Sequence, residues 1–304
     1  MRKPLLLMMM IGASACTTRG ELGEAKFRVG ENWSSGSIAQ GSLFEAKAKL
    51  PLMQGELAVQ SSDEEVLFPT KGRFSAKEIG EADLVALDSS GSMIDYLTFE
   101  VKEVDKIGLR DGELNEIPFR FAILLDTRLN LNFEVIDAEG EELMHSNLVE
   151  MHESDARYIR STFSNDTVIL DPNTYGEEKL LFKANEIEKQ YRVEAISPTQ
   201  MASFSVTLNG HQNNHPNGNQ YSSAPYGYEW VEVIVDAQSQ SGVPVLIPSS
   251  ELYVPSAQDT WAMEGDINRI WALLSWGEFP MVSLSPPPTQ QDSNDSMDIP
   301  EHNQ

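Results

Sequence analysis

Five histidines, a single cysteine and 47 carboxylate side chains define the chemistry open to this chain. Its sharpest constellation is Asp88-Ser89-Ser90-Gly91-Ser92. The carboxylate at 88 and the hydroxyls at 90 and 92 form an oxygen-only donor set that suits a hard divalent cation such as magnesium. The same string is also a natural hairpin turn, since Asp and Ser bond to nearby backbone and Gly tolerates positive φ. His211 and His215 stand four apart, the spacing that puts two ligands on one helix face. Asn213, Asn214, Pro216 and Asn217 argue for a loop there, and no Glu follows His211 as a zinc hydrolase motif requires. His145 and His152 sit among Glu141, Glu142, Glu150 and Glu153, which reads as a solvated acidic edge. Carboxylate clusters attract calcium, but no spaced Asp-x-Asp-x-Asp-Gly loop accompanies this one. There is no Gly-x-Ser-x-Gly elbow for a nucleophilic serine, and with so many acids no carboxylate pair stands out for glycoside chemistry. Trp230, Trp261, Trp271 and Trp276 read as aromatics of a β core, with an exposed sugar-stacking platform as the alternative. The reading is therefore non-enzymatic, with no catalytic residue, resident metal or cofactor assigned.

The Asp88–Ser92 string, following the apolar run Leu84–Leu87, resembles the metal motif of von Willebrand factor A domains. That resemblance implies a divalent-metal-dependent adhesion domain with Asp88, Ser90 and Ser92 as ligands. The family carries a long amphipathic helix after the motif, whereas Leu97, Phe99 and Val101 alternate with Thr98, Glu100 and Lys102 as a strand does. The family's downstream strand with a further Asp-Gly ligand is also missing, and the turn reading is preferred.

The chain has 304 residues with 22 Lys+Arg against 47 Asp+Glu, a formal charge of −25. Such a field repels nucleic acid and anionic lipid headgroups, so neither is expected as a partner. At 40% hydrophobic residues the chain can fill real cores, and one cysteine permits no internal disulfide. Arg2 and Lys3 precede the apolar run Leu5–Ile11, which is far shorter than the ~20 residues of a membrane-spanning helix and has the layout of a secretory signal. Gly12-Ala13-Ser14-Ala15-Cys16 then resembles the lipobox of bacterial lipoproteins, with Ala13 where that family most often has leucine. The resemblance implies cleavage before Cys16, lipid on its sulfur and attachment to a membrane through that lipid. Thr17, where inner-membrane retention would have Asp, implies outer-membrane sorting. An ordinary signal peptide cleaved nearby, with Cys16 incidental, is the alternative.

Any site must be positioned by the elements that follow. Residues 17–30 read as a polar tether. From there, short period-two alternations recur about every ten residues: Leu43–Leu50, Glu56–Gln60, Val66–Phe68, Ala82–Leu87 and Leu97–Val101, separated by Gly, Ser, Asp and Pro. Short, evenly spaced strands with turn residues between them predict an all-β sandwich or barrel. Ser61-Ser62-Asp63, Val66, Phe74-Ser75-Ala76, Gly80–Ala86 and Asp88 resemble the immunoglobulin-like domains of invasin- and intimin-type surface proteins. That resemblance covers roughly residues 30–104 and implies a sandwich with adhesion or spacing roles.

A second unit is predicted over 106–198, with Phe119, Phe121 and Ile123 leading into Leu129–Val135 and the acidic turn Asp137–Gly140. A third β-rich unit is predicted over 199–285. Its Trp230–Val235 followed by Asp236-Ala237 echoes Val135-Ile136-Asp137-Ala138 as a faint repeat of strand plus acidic turn. Residues 211–220 read as a long polar loop, and Asp266–Trp276 as either a short amphipathic helix or a buried strand. The Pro-, Asp- and Gln-rich tail over 286–304 is predicted to be disordered. The organisation expected is thus a signal peptide (1–16), a tether (17–30), immunoglobulin-like β-sandwiches at 31–105 and 106–198, a third domain and a tail; two domains with insertions would also fit the length. The function expected is a lipid-anchored bacterial cell-envelope module for binding, adhesion or structure, with an envelope protein or glycan as partner. A carbohydrate-binding or carbohydrate-processing lipoprotein using the Trp-rich third domain is the alternative.

Overall fold

The computed structural model describes residues 25–29, 36–50, 56–153, 157–164, 166–216, 223–263 and 265–284. The leader, Cys16 and the tail from Ser285 lie outside the described residues. The chain divides into two compact units: one runs to Glu103 and includes Leu143–Ser146, and the other comprises Val104–Glu142 and the chain from Asn147 onward.

In the first unit the alternating segments become β1 (Lys26–Val29, inside the stretch read as tether), β2 (Gly36–Ala39), β3 (Leu43–Phe44), β4 (Ala46–Lys49), β5 (Ala58–Ser61), β6 (Leu67–Thr70), β7 (Arg73–Ala76), β8 (Gly80–Leu87) and β9 (Met93–Lys102). One sheet has the order β2-β9-β8-β5; opposite it β3-β7-β6 pair, and β1 pairs with β4, which continues β3 after Glu45 alone. Period two sends Ala82, Leu84 and Ala86 of β8 inward while the residues between them stay more exposed. Phe44 packs against Phe74 and Phe99 at ring-centroid distances of 6.1 and 6.3 Å, joining the two sheets across one dry core.

Leu143–Ser146 adds to this unit from far along the chain. Met144 pairs in parallel with Ile38 of β2, its N–H donating to Ser37 O at 3.0 Å and its carbonyl accepting from Ala39 N–H at 2.8 Å. Leu43 N–H donates to Ser146 O at 2.9 Å. The segment thereby covers the free edge of β2, and the Met144 side chain is 1% exposed in the unit's core.

The second unit continues with β10 (Lys106–Arg110), β11 (Arg120–Leu124), β12 (Leu129–Ile136), β13 (Glu150–Glu153), β14 (Ile159–Ser164), β15 (Thr167–Pro172), β16 (Gly176–Ala184) and β17 (Ile187–Ile196). These form sheets β10-β12-β15-β14 and β13-β16-β17-β11. With β3 and β4 counted as one strand, the pairings of the first unit recur in the same chain order. The second strand of each set runs parallel to the last, β2 on β9 and β11 on β17, and the other pairings are antiparallel. This is the two-sheet strand order of an immunoglobulin-like sandwich, and the fold is all-β.

The repeat has a sequence trace, but not the one expected. Gly80-Glu81-x-x-Leu84 and Gly176-Glu177-x-x-Leu180 open β8 and β16, with Gly80 and Gly176 at φ +153 and +149. A Cβ on Gly176 would collide with the Tyr158 ring. Asp236-Ala237 does not repeat the Asp137-Ala138 turn, because the strand containing it continues to Ser239.

The rest of the second unit comprises β18 (Met201–Gln212), β19 (Tyr228–Ser239), β20 (Val245–Leu246), β21 (Asp259–Trp261) and β22 (Arg269–Ser275). β18-β19-β22-β21 form one sheet, while β20 runs parallel to β11 and extends the second sandwich's sheet to five strands. Asp266–Trp276 therefore contains a strand, β22, as its buried-strand reading allowed. Ala122 and Leu124 of β11 join the core under this last sheet, while Phe121 and Ile123, also fully buried, point the other way. Phe119, read with Phe121 and Ile123 as leading into this unit, is exposed, and β11 is apolar on both faces.

Two outcomes follow. Met144→Ala should destabilise the first unit by about 2–5 kcal/mol, seen as faster hydrogen exchange in peptides from 80–102; a change confined to 104–196 would contradict the assignment of this segment. Gly176→Ala should cost about 1–3 kcal/mol from backbone strain alone, read as a lower urea midpoint.

Candidate functional site

A cavity of about 520 Å³ opens in the second unit where the start of β12, β21 and the segment leading into β22 converge. Leu129 is fully buried, and it lines the cavity together with its neighbours Arg128 and Asn130. β21 contributes Thr260 and Trp261, and Asp266 completes the wall.

Local hydrogen bonding holds the wall in place. Asp266 Oδ2 accepts Met263 N–H at 2.8 Å, and Asp266 N–H returns to Met263 O at 3.2 Å. Ser249 donates to Asp266 O through both its N–H (3.1 Å) and its hydroxyl (2.9 Å). Asn268, at φ +57, donates its side-chain amide to Val245 O at 2.9 Å and accepts Ile247 N–H at 2.6 Å. Gly112 N–H donates to Gly265 O at 2.9 Å, an approach so close that a Cβ on Gly112 would meet the Gly265 carbonyl carbon at 2.7 Å.

Asp266 is 5% exposed, and its Oδ1 is buried with no hydrogen-bond partner among the described residues; the same holds for Asn130 Oδ1. Burial pushes the Asp266 carboxyl above the usual carboxylate range; the Met263 amide and Arg269 oppose the shift, and the charges of Asp111 and Glu232 add to it. Arg269 is already engaged, bridging Glu232 at 2.8 Å and Glu113. Ser249 Oγ is committed to two backbone carbonyls, and no histidine is among the described residues lining the cavity. The arrangement is a polar-walled space beside a half-buried indole. It does not assemble a nucleophile with a base.

The residues singled out from sequence are dispersed. Asp88 closes the β8–β9 hairpin: its Oδ1 accepts Ser90 Oγ–H at 2.7 Å and the N–H groups of Ser90 and Ser92 at 2.8 Å each, with Gly91 at φ +81. These bonds, led by the Ser90 hydroxyl, hold its carboxyl below the usual value. The element after Met93 is strand β9, not the helix that a von Willebrand factor A domain requires. His211 lies in β18 with Nδ1 3.1 Å from Glu229, while His215 meets the Trp230 ring edge-on at 4.6 Å, so the two do not converge. The polar loop expected from 211 starts two residues later, because β18 runs through Gln212. His152 stands on an exposed edge beside Glu150, at 3.4 Å. His145, read as part of that edge, is instead 4% exposed, drawn inward with the strand-like segment around Met144.

The four tryptophans do not form one platform. Trp230 is buried, Trp261 and Trp271 are opposed half-buried partners on β21 and β22, and Trp276 packs edge-on with Tyr226 at the surface. Asp266 and Asn130 were missed from sequence. An Asp between glycine and isoleucine near a strand start carries no local mark of burial. Cys16 lies outside the described residues.

No protein-family model matches the chain, and no curated protein matches it. Among solved structures, the chain is similar to domains 1–6 of the surface layer protein SbsC (14% identity, TM-score 0.33, covering 88% of this chain and 38% of that one). It is also similar to InvD of Yersinia pseudotuberculosis (13% identity, TM-score 0.25, covering 83% and 80%). Tandem immunoglobulin domains of titin align with it at 11% identity and a TM-score of 0.24, covering 57% and 98%. The chain spans about 38% of the first of the surface-layer structures it matches. At these scores the fold rests on the strand order described above, not on the alignments.

Asp266 yields a pH signature. A carboxyl whose folded pKa is raised contributes stability below its unfolded pKa, near pH 4, and loses that contribution as pH rises through the folded value. The melting temperature of the wild type should therefore fall more than that of Asp266→Asn as pH climbs from about 4 toward neutrality; parallel curves would contradict the assignment.

Proposed function

We propose that this chain is a bacterial cell-envelope protein, held to a membrane by lipid on Cys16, that acts as a non-enzymatic binding or structural module. What carries the reading is the repeated strand order: two successive immunoglobulin-like sandwiches with the same pairings. Such sandwiches fill their interiors with side chains and leave their loops and sheet edges for recognition. That suits a stalk or adhesion module better than a catalytic cleft, an argument from fold analogy. The secretory-type leader and Cys16 support a location outside the cytoplasm, and the formal charge of −25 disfavours binding to anionic headgroups, so in this reading the lipid supplies the membrane attachment. Thr17 after Cys16 favours the outer membrane. The sandwiches would occupy 31–105, extended by β1 at Lys26–Val29, and 106–198, with 199–285 as a third domain and an envelope protein or glycan as partner.

Labelling with a palmitate analogue tests the anchor. The full-length protein should take up label and fractionate with membranes, and Cys16→Ser should do neither. Equal labelling of both, or of neither, overturns the anchored reading.

A further inference from the structure

We infer that this chain pairs with a second copy of itself, the outer edge of β18 meeting the same edge of its partner in an antiparallel ladder. The inference goes beyond the anchored reading and does not require it. β18 is 12 residues long and stands at one edge of the β18-β19-β22-β21 sheet. Its N–H and C=O groups that face away from β19 have no partner among the described residues. An open edge of this length is a template for another strand. Other edges of the second unit are guarded by charge: β10 carries Lys106 and Arg110, β13 carries Glu150 and Glu153, and β14 carries Arg160. β18 (MASFSVTLNGHQ) has no Lys, Arg, Asp or Glu, and no proline. The core beneath it is also incomplete at this edge. Phe204, Val206 and Leu208 pack against that core but are only partly buried, whereas Val231, Val233 and Val235 of the next strand are at most 2% exposed.

A second copy is singled out by the register the edge allows. Irregularities interrupt β18 between Met201 and Ser203 and between Asn209 and His211, leaving the regular run Ser203–Asn209 centred on Val206. With a two-fold axis at Val206, Phe204 meets the partner's Leu208 and Val206 meets the partner's Val206. On the other face Ser205 meets the partner's Thr207 and Ser203 meets the partner's Asn209. Apolar residues thus oppose apolar ones, and small polar residues oppose each other, the cross-strand pairings that favour an antiparallel ladder. A one-residue slip would set Val206 opposite the partner's Thr207 and turn one copy's core row to solvent. Charge also fits. The acids next in from the edge, Asp236 and Glu232 of β19, stand opposite Ser205 and Asn209. Across the axis the two rows of acids would lie three strand spacings apart, about 14 Å, beyond the ~8 Å screening length of physiological salt. On a chain of formal charge −25, such an uncharged stretch is where a like-charged copy can dock. Ser203–Asn209 falls well short of the roughly 20–30 residues a side of a standard interface, so the dimer is weak and reversible.

Sedimentation equilibrium of the full chain carrying Cys16→Ser, which removes any lipid-driven association, tests the pairing over about 1–200 µM. Dimer should accumulate with concentration. Raising NaCl from about 20 to about 300 mM should tighten it severalfold, because salt screens the repulsion between two acidic copies. Thr207→Glu, at an exposed edge position, should weaken the dimer about tenfold or more by setting like charges near the axis. Thr162→Glu, the same change at an exposed position of β14, should leave it intact. Adding Ser205→Lys to Thr207→Glu puts Lys opposite Glu across the two-fold and should restore the dimer. Each variant should keep the wild-type circular dichroism spectrum. The inference is overturned by a monomer throughout this range, which would leave the edge to a strand of another protein. It is equally overturned if Thr207→Glu does not weaken the dimer, if Thr162→Glu weakens it as much, or if Ser205→Lys fails to restore it. Palmitate labelling of Cys16 reads independently of sedimentation, so failure of the anchor and failure of the pairing are distinguishable.

Discussion

Much of the second unit depends on the burial of β11 from both sides. Five residues long, it pairs in parallel with β17 along one edge and with β20 along the other. Phe121 and Ile123 face one way, while Ala122 and Leu124 enter the core beneath the β18-β19-β22-β21 sheet. Fully burying a side chain of this kind contributes about 1.5–3 kcal/mol, and here successive residues contribute to opposite sides. Sandwich and final sheet are thus joined through the backbone of one strand. The cavity lies where the two meet, with Asn130 on the sandwich side and Trp261 and Asp266 on the other.

Cohesion elsewhere has to come without cross-links, since the chain's one cysteine is at position 16. The first sandwich relies on the Phe44, Phe74 and Phe99 cluster, the second on Phe133, Phe163, Phe182 and Tyr191 in edge-on and tilted contacts. Tyr191 also ties its sheets together: its hydroxyl accepts Leu109 N–H at 2.8 Å from β10, and burial pushes that hydroxyl's pKa up to about 12. A neutral phenol making one directed bond inside an aromatic core fixes orientation as well as adding contact area. The turns are specified by short polar motifs. Asp88, Asp111 and Asp137 each fold a carboxylate oxygen back onto the N–H groups two and four residues ahead.

Among the described residues few acids are buried, and they differ in how they are held. Glu232 is held by Arg269 at 2.8 Å and by the Asn209 amide at 2.8 Å, so this acid inside β19 serves the sheet. Asp266 is the contrast. It belongs to the cavity lining with one oxygen satisfied by backbone and the other buried without a hydrogen-bond partner among the described residues. A polar group held in that way marks a place where folding alone does not complete the hydrogen bonding.

The sequence by itself determined the all-β character and the positions of many strands. Period-two alternation at Leu43–Leu50, Ala82–Leu87, Leu97–Val101 and Leu129–Val135 is a local property, and each became a strand with the expected inward side chains. The Asp88 turn was legible for the same reason, since its hydrogen bonds close within five residues. Which strands pair, and which face is covered by what, belonged to the tertiary structure. β11 is a run of apolar residues in the sequence, and only the β18-β19-β22-β21 sheet, built from residues much later in the chain, covers the face of Ala122 and Leu124. His145 looked solvated beside four glutamates until the Met144 segment joined the edge of β2. The same holds for Asn130, Trp261 and Asp266: no local pattern unites residues so far apart, and they share a cavity only because non-local strand pairing sets their distances.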